Sequence, residues 1–242
     1  MALTLAVLVA GPAAAIEGVT LPPADVYILG ERHDNPEHHA VQVALVERIA
    51  PRAVVFEMLD QDQAARIGAD TPRDAETLGP LLDWSESGWP DIAFYAPIMA
   101  ATDAVILGAA GGEIDAAAHA LDRPLPSAEQ AAREALQAAA HCDTLPPELL
   151  PRFVAAQREA DARFAARTLD ALDVFGAPVV LIAGNGHART DWGVPAAIAR
   201  VRPEVRVVAV VQSEGKPGDV PPGDLVLTSP GPVRGDPCTA FR

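Results

Sequence analysis

The chain has 242 residues, and its 33 acidic against 18 basic side chains give a formal net charge of -15 at pH 7. Half of the residues are hydrophobic and 21% are charged, which provides material for a buried core and excludes a disordered or fibrous protein. Nucleic-acid binding needs a concentrated positive surface, so the scattered and outnumbered basic residues argue against a nucleic-acid partner.

The N-terminal segment has the pattern of a secretory signal peptide over residues 1–15. Residues 2–10 are apolar apart from Thr4, Gly11–Pro12 interrupts the run, and Ala13–Ala15 supplies small side chains for cleavage. A buried N-terminal strand is the alternative. The run is too short to cross a membrane, so we expect no transmembrane helix in the mature chain. No cysteine lies near the cleavage point, and we therefore expect a soluble, exported protein of the periplasm without a lipid anchor.

The only two cysteines are Cys142 and Cys238. An even number of cysteines in a chain exported to an oxidising compartment favours a disulfide between them. Two unpaired thiols are the alternative.

Short apolar segments alternate with helical patterns along the chain, beginning with one such segment before a helix from about Pro36 to Ile49. Continuous apolar segments separated by helices predict an α/β fold, with a mostly parallel sheet and helices on both faces. We expect a single domain over residues 16–242. The predicted strands are Val26–Leu29, Ala53–Phe56, Ala104–Leu107, Val179–Ala183, Val205–Val211 and Leu225–Leu227.

The middle of the chain, from about Ala128 to Leu172, has a helical pattern throughout, with a break at Pro146–Pro147. It predicts a helical insertion over about residues 112–173, between the third and fourth core strands. The tail over residues 215–242 is rich in proline and glycine and predicts one short strand at most.

Polar residues follow three of the predicted strands: Gly30–His33, Glu57 and Gly184–His187. The carboxyl ends of parallel strands meet at one edge of a sheet, where ligands bind, so these residues should share a cleft. Imidazole and carboxylate together can hold a divalent metal such as zinc or manganese, or perform general acid–base chemistry. The candidate metal ligands and catalytic groups are Glu31, His33, Glu57 and His187.

The helix predicted after His33 begins at Asn35 and Pro36, which suit a cap and a first turn. His38 lies three and seven residues before Val41 and Leu45, so the helical period places it on the apolar face at the cleft end and His39 elsewhere. A packing role and a ligand role for His38 remain equally open.

Two polar residues interrupt the apolar stripe of the long helix in the insertion. Gln157 and Asp161 either face the cleft or are solvated, in which case the stripe runs through Phe153, Ala156, Ala160 and Phe164. Tyr95 is either a core aromatic or a tyrosinate ligand of ferric iron.

Several segments together resemble a known family. The first is Gly30–Pro36 followed by His38–His39, joined by Val54–Leu59. Trp89 with Tyr95 and Pro97, the pair Gln157 and Asp161, and Ala183–Arg189 continue the likeness. The chain resembles the ChaN-like haem-binding uptake family of the Tiki superfamily, which is related to erythromycin-esterase-like proteins.

The resemblance implies an exported haem-binding protein of haem or iron uptake, holding haem cofacially in a homodimer and working with envelope haem-uptake components. It implies cofactor contacts by Tyr95 or His38 at the iron and by Arg32 or Arg189 at the propionates, with Gln157 and Asp161 nearby.

The related hydrolytic branches leave a second reading open. In it the protein is a metal-dependent hydrolase that uses both G-x-x-H motifs and Glu57, so whether the protein is an enzyme stays undecided. Ala109–Gly112 departs from the family where an arginine-containing turn is expected.

Overall fold

The fold is described from a computed structural model of residues 16–215, 220–236 and 238–239. The segment predicted as a signal peptide, residues 1–15, lies outside the described residues. Among the described helices, none combines the length and the apolar character needed to cross a membrane.

Six parallel strands form one sheet in the order β3-β2-β4-β1-β5-β6, which confirms the predicted parallel α/β fold. Every strand extends beyond the carboxyl end of its predicted apolar run, by four residues in β2 and by one to three in the others, and β3 and β5 begin one and two residues later than predicted. The strands are β1 (Val26–Glu31), β2 (Ala53–Asp60), β3 (Val105–Ala110), β4 (Val179–Gly184), β5 (Val207–Ser213) and β6 (Leu225–Thr228).

Helices cover both faces of this sheet. The helix predicted from Pro36 to Ile49 is observed with those bounds, because the Asn35 side chain accepts a hydrogen bond from the backbone of Glu37 and Pro36 opens the first turn. The helices are α1 (Pro36–Ile49), α2 (Gln61–Ala65), α3 (Ala75–Leu81), α4 (Ile92–Ala100), α5 (Ser127–Ala140), α6 (Leu150–Phe175), α7 (Asn185–Ala188) and α8 (Val194–Val201).

The sheet separates two hydrophobic cores. On one face, Leu29 and Phe56 pack in a cluster with Leu45 of α1 and Ile98 of α4. On the other face, alternate strand residues such as Ile28 join Phe164 of α6 and Ile198 of α8. Burial on both faces explains why the strands are continuously apolar rather than alternating.

The predicted helical insertion lies between β3 and β4 and includes α5 and α6. The break at Pro146–Pro147 is present, with a short 3-10 helix over Pro147–Leu149 leading into α6. The predicted disulfide is confirmed: Cys142, just after α5, is bonded to Cys238, with Cα atoms 5.6 Å apart. The bond ties the C-terminal tail to the insertion.

Candidate functional site

The three central strands β2, β4 and β1 bring the strand-end polar residues to one edge of the sheet. Glu31 ends β1 and is paired in register with Gly184 at the end of β4. Glu57 lies on the neighbouring β2, and His187 lies on the short helix α7 that directly follows β4. The structure thus places Glu31, Glu57, His187 and the nearby His33 at the same carboxyl edge.

His187 is held between two carboxylates in what we call the His187 cluster: His187, Glu57, Asp161 and Gln157. Its Nδ1 lies 2.7 Å from Oδ1 of Asp161, its Nε2 lies 3.4 Å from Oε1 of Glu57, and the Gln157 amide lies 3.2 Å from Nδ1. Burial favours the neutral ring, but the Glu57 charge and the Asp161 hydrogen bond outweigh it and raise the pKa of His187 to about 10. The ring is therefore cationic at neutral pH.

Glu57 also binds the backbone of the neighbouring strand, because the Gly184 amide donates to its Oε2 over 2.7 Å. Burial opposes ionisation of Glu57, while the charge and hydrogen bond of His187 lower its pKa below the ordinary value. An ionised carboxylate on a buried strand position is stabilised here by these partners.

A second group, the His33 cluster, consists of His33, Glu31, His39 and Tyr95. Nδ1 of His33 lies 2.7 Å from Oε1 of Glu31, Nδ1 of His39 lies 2.8 Å from Oε2, and the Tyr95 hydroxyl donates to Oε1 over 3.3 Å. Burial opposes ionisation of Glu31, but the bonds from the two histidines lower its pKa. Burial likewise opposes the charge on His33, whose pKa the Glu31 bond and the Glu57 charge raise.

The structure places the two adjacent histidines of α1 the opposite way from the prediction. His39 belongs to the site: it contacts Glu31, and its ring stacks on Phe94 with centroids 5.2 Å apart. His38 is fully buried toward β5, where its Nδ1 accepts from the Arg32 amide and its carbonyl accepts from Gln212. Helix α1 starts wedged between β5 and α4, so both faces of its first turn are buried and the apolar period does not distinguish them.

Tyr95 is fully buried in this arrangement. Its ring packs against His39 at 4.7 Å and Trp84 at 5.2 Å between centroids. Burial first, and then the Glu31 carboxylate, raise the pKa of the Tyr95 phenol well above its ordinary value, so the hydroxyl stays protonated.

Gly184 allows the two clusters to approach each other. A Cβ at this position would lie 3.0 Å from Nε2 of His33 and 3.8 Å from Oε2 of Glu57. The missing side chain leaves room for the His33 ring beside the end of β4.

Gln157 and Asp161 face the site, which resolves the two alternatives for the long helix α6. Asp161 is buried beside His187, and Gln157 is half-buried at the same ring. Because both bind His187, the polar interruption of the stripe marks where α6 crosses the strand ends.

The two predicted arginines occupy different surroundings. Arg32 is half exposed, and its guanidinium lies 3.3 Å from Glu214. Arg189 binds Asp191 through two nitrogens at 2.6 and 2.8 Å and stacks over the Trp192 ring at 3.5 Å. Only Arg189 lines the cleft described next.

An open cleft of about 510 Å³ lies beside the His187 cluster. Its walls are mostly apolar, with two arginines and two glutamines among them. It is lined by Arg133, Leu136, Gln137, Ala140, Val154, Gln157, Gly186, Arg189, Trp192, Val220, Pro221 and Pro222. The size and lining are those of a small-molecule site.

The predicted zinc or manganese centre gains no support from the geometry. Within the described ranges, no three or more His, Cys, Asp or Glu side chains are grouped so as to hold a metal ion. The carboxylates of Glu31 and Glu57 instead bind imidazole rings, as the distances above show. The arrangement suits proton-sharing pairs rather than a shared cation.

Several residues of this edge were not predicted. His39 was not predicted as a site residue because the helical period of α1 placed it away from the site. Asn185 exchanges hydrogen bonds with the backbone of Gln212 and joins β4 to β5, and only its position inside the Gly184–His187 motif could have indicated it. Arg133 and Trp192 carried no sequence signal.

The model of the ChaN family, which comprises haem-binding uptake proteins of the Tiki superfamily, matches residues 19–198 of this chain. No curated protein matches the sequence significantly.

Solved structures share the fold. ChaN of Campylobacter jejuni, described as binding haem cofacially, aligns over 84% of this chain and 87% of its own, with 24% identity and a TM-score of 0.63. The type III effector HopBA1 covers 92% of this chain and 94% of its own, with 13% identity and a TM-score of 0.52. An erythromycin esterase mutant in its open conformation covers 90% of this chain and 79% of its own, at 14% identity and a TM-score of 0.40.

Proposed function

The chain belongs to the ChaN family of haem-binding uptake proteins in the Tiki superfamily, and we propose that it binds haem at the carboxyl edge of its sheet. The observation that carries this proposal is the family match, which covers the ends of β1, β2 and β4 and the helix α7 that follows β4. Bound haem would supply the iron that an uptake protein delivers.

The cleft beside the His187 cluster has the features that a haem site requires. A macrocycle needs apolar walls, and its propionates need cations. Leu136, Val154 and Pro221 supply apolar surface, while Arg189 supplies a guanidinium group. Arg189 therefore becomes the proposed propionate partner, and Gln157 at the cleft wall a polar contact.

We propose that His33, rather than Tyr95 or His38, would bind the haem iron. The His33 side chain is 34% exposed, whereas Tyr95 and His38 are fully buried and would need a rearrangement of α4 or α1 to reach iron. Glu31 binds Nδ1 of His33, which orients the ring and leaves Nε2 as the donor atom. Nε2 lies 3.0 Å from the position of a Gly184 Cβ, two residues before Gly186 of the cleft lining, although His33 itself is not among the residues that line the cleft.

Haem titration monitored by the Soret band tests the proposal. We expect saturable binding by the wild type and affinity about tenfold weaker in Arg189→Gln, since a charge-assisted contact to a propionate is lost. Arg206→Gln is the matched control, because Arg206 is exposed and pairs with Asp25 before β1, away from the site. A Soret band that remains that of free haem throughout the titration of the wild type would refute the proposal, and equal loss in both variants would refute the role of Arg189.

Export to the periplasm is proposed from the signal-like start together with the disulfide between Cys142 and Cys238. Thiol titration of denatured, unreduced protein from the periplasm should find no free thiol. Two free thiols in this material would contradict the disulfide, and absence of the protein from the periplasmic fraction would contradict export.

A dimer that holds haem cofacially is proposed by analogy with ChaN of Campylobacter jejuni, which binds haem cofacially. Sedimentation should give twice the 25.2 kDa chain mass after haem is added. A haem complex with the mass of one chain would exclude the shared site. Envelope haem-uptake components are the partners that such a dimer would serve.

Acid–base hydrolysis is the second candidate, because two carboxylate–imidazole pairs stand at one edge of the sheet. Glu57, His187, Glu31 and His33 are the residues in question. Hydrolysis of p-nitrophenyl acetate by the haem-free protein, abolished in His187→Ala, would support a hydrolase function. Equal slow hydrolysis by both proteins would remove it.

A further inference from the structure

A second cavity of about 320 Å³ lies between the insertion and helix α8, separated from the cleft by Arg133 and Trp192, which line both. We propose that it binds a compact organic anion, a carboxylate with a short apolar body. Nothing in this proposal depends on haem binding.

The cavity concentrates positive charge in a chain whose net charge is -15. Four of the chain's arginines line it, from the loop before α5, from α5, from α6 and from α8. The two acidic residues in its lining already have partners: Glu129 is bonded to Arg133, and Asp161 to His187. The arginines are Arg123, Arg133, Arg158 and Arg200.

Arg133 has hydrogen-bonding capacity that the described residues do not use. Its side chain is 9% exposed, its Nε donates to Glu129 over 3.0 Å, and its Nη2 bonds the same carboxylate oxygen. Its Nη1 is buried without a hydrogen-bond partner among the described residues, and so is Nδ1 of His119. Buried guanidinium nitrogens are almost always paired, so Nη1 is a donor left unused at the wall that the cavity and the cleft share.

The cations also repel one another. Burial first, and then the charge of Arg133, lower the pKa of Arg158, while burial and Arg200 lower that of His119. Arg158 is fixed at the wall because its Nη2 donates to the carbonyl oxygens of Ala120 and Arg123. An anion would relieve this like-charge repulsion.

The rest of the lining sets the class of anion. Leu121, Leu125, Ala162 and Ala197 supply apolar wall, and the Trp192 ring stands at the boundary with the cleft. Guanidinium groups bind planar carboxylates by paired hydrogen bonds. A ligand with a carboxylate and a compact apolar body fits both features, whereas a fully polar anion leaves the apolar wall unused.

Calorimetric titration with sodium benzoate tests the proposal, with benzamide as the neutral analogue. We expect one benzoate per chain, no binding of benzamide, and affinity about tenfold weaker in Arg133→Gln, because a charge-assisted hydrogen bond is lost. Arg202→Gln should leave binding unchanged, since Arg202 pairs with Glu204 and Asp173 outside the cavity.

If Arg133→Gln does not fold, the more exposed Arg200→Gln replaces it, with an expected loss of about threefold because its charge is screened. Binding of benzoate and benzamide with equal affinity, or no binding of either, would overturn the proposal. Inorganic phosphate binding as tightly as benzoate would overturn the assigned class.

Discussion

The His187 cluster and the His33 cluster each place an imidazole ring beside a buried carboxylate at the end of a parallel strand. They differ in how far other elements shield the ring from solvent. The His187 side chain is 11% exposed beneath α6, whereas His33 is 34% exposed. Helix α6 closes the His187 side with Asp161 and Phe164, while on the His33 side Trp89 contacts only the ring edge. The same chemistry therefore stabilises the fold in one cluster and remains available to a ligand in the other.

The sharpest test of this difference replaces each histidine by alanine. His187→Ala should lower the free energy of unfolding by about 3–5 kcal/mol, because it leaves two buried carboxylates unpaired. His33→Ala should cost about 1–2 kcal/mol, since Glu31 keeps His39 and Tyr95. Urea unfolding of both variants gives the two values, and equal costs would show that exposure does not separate the clusters.

The pH dependence of stability should come mainly from the His187 cluster. The pKa of His187 is raised to about 10 in the folded chain against an ordinary value of about 6.5. Its contribution is therefore complete below about pH 6.5 and is lost as the pH rises through about 10.

Thermal unfolding should accordingly show a Tm that is lower at pH 10.5 than at pH 6.5 by several degrees. His187→Gln provides the control and should flatten this slope. A wild-type Tm that rises with pH over this interval would contradict the assigned charge state.

Asp161→Asn should have the smallest effect, because the amide oxygen can still accept from Nδ1 of His187 while the charge is lost. We expect a cost of about 1 kcal/mol and a lower pKa for His187. An NMR titration of the His187 ring protons measures this pKa. An unchanged value would mean that Glu57 alone holds the charge on the ring.

The sequence predicted the parts of this architecture that depend on local pattern. Helix α1 follows from Asn35, Pro36 and the apolar period, and the disulfide follows from the cysteine count and the signal-like start. The convergence of Glu31 and Glu57 follows from the rule that parallel strands share a carboxyl edge.

Features that depend on tertiary packing were not accessible to that reasoning. The roles of His38 and His39 depend on β5 and α4 packing against opposite sides of the first turn of α1. The burial of Tyr95 depends on Trp84 and His39, which come from other parts of the chain. β2 reaches Asp60 because Glu57 has buried hydrogen-bonding partners, which a count of apolar residues does not register.

We propose that His33, whose side chain is partly exposed, and not the buried His187, would bind the haem iron. The most direct measurement is the absorption spectrum of the ferric haem complex for wild type, His33→Ala and Tyr95→Phe. We predict that His33→Ala shifts the Soret maximum and weakens haem binding by about tenfold or more, while Tyr95→Phe keeps the wild-type spectrum. A wild-type spectrum in His33→Ala, with the shift appearing in Tyr95→Phe instead, would contradict it.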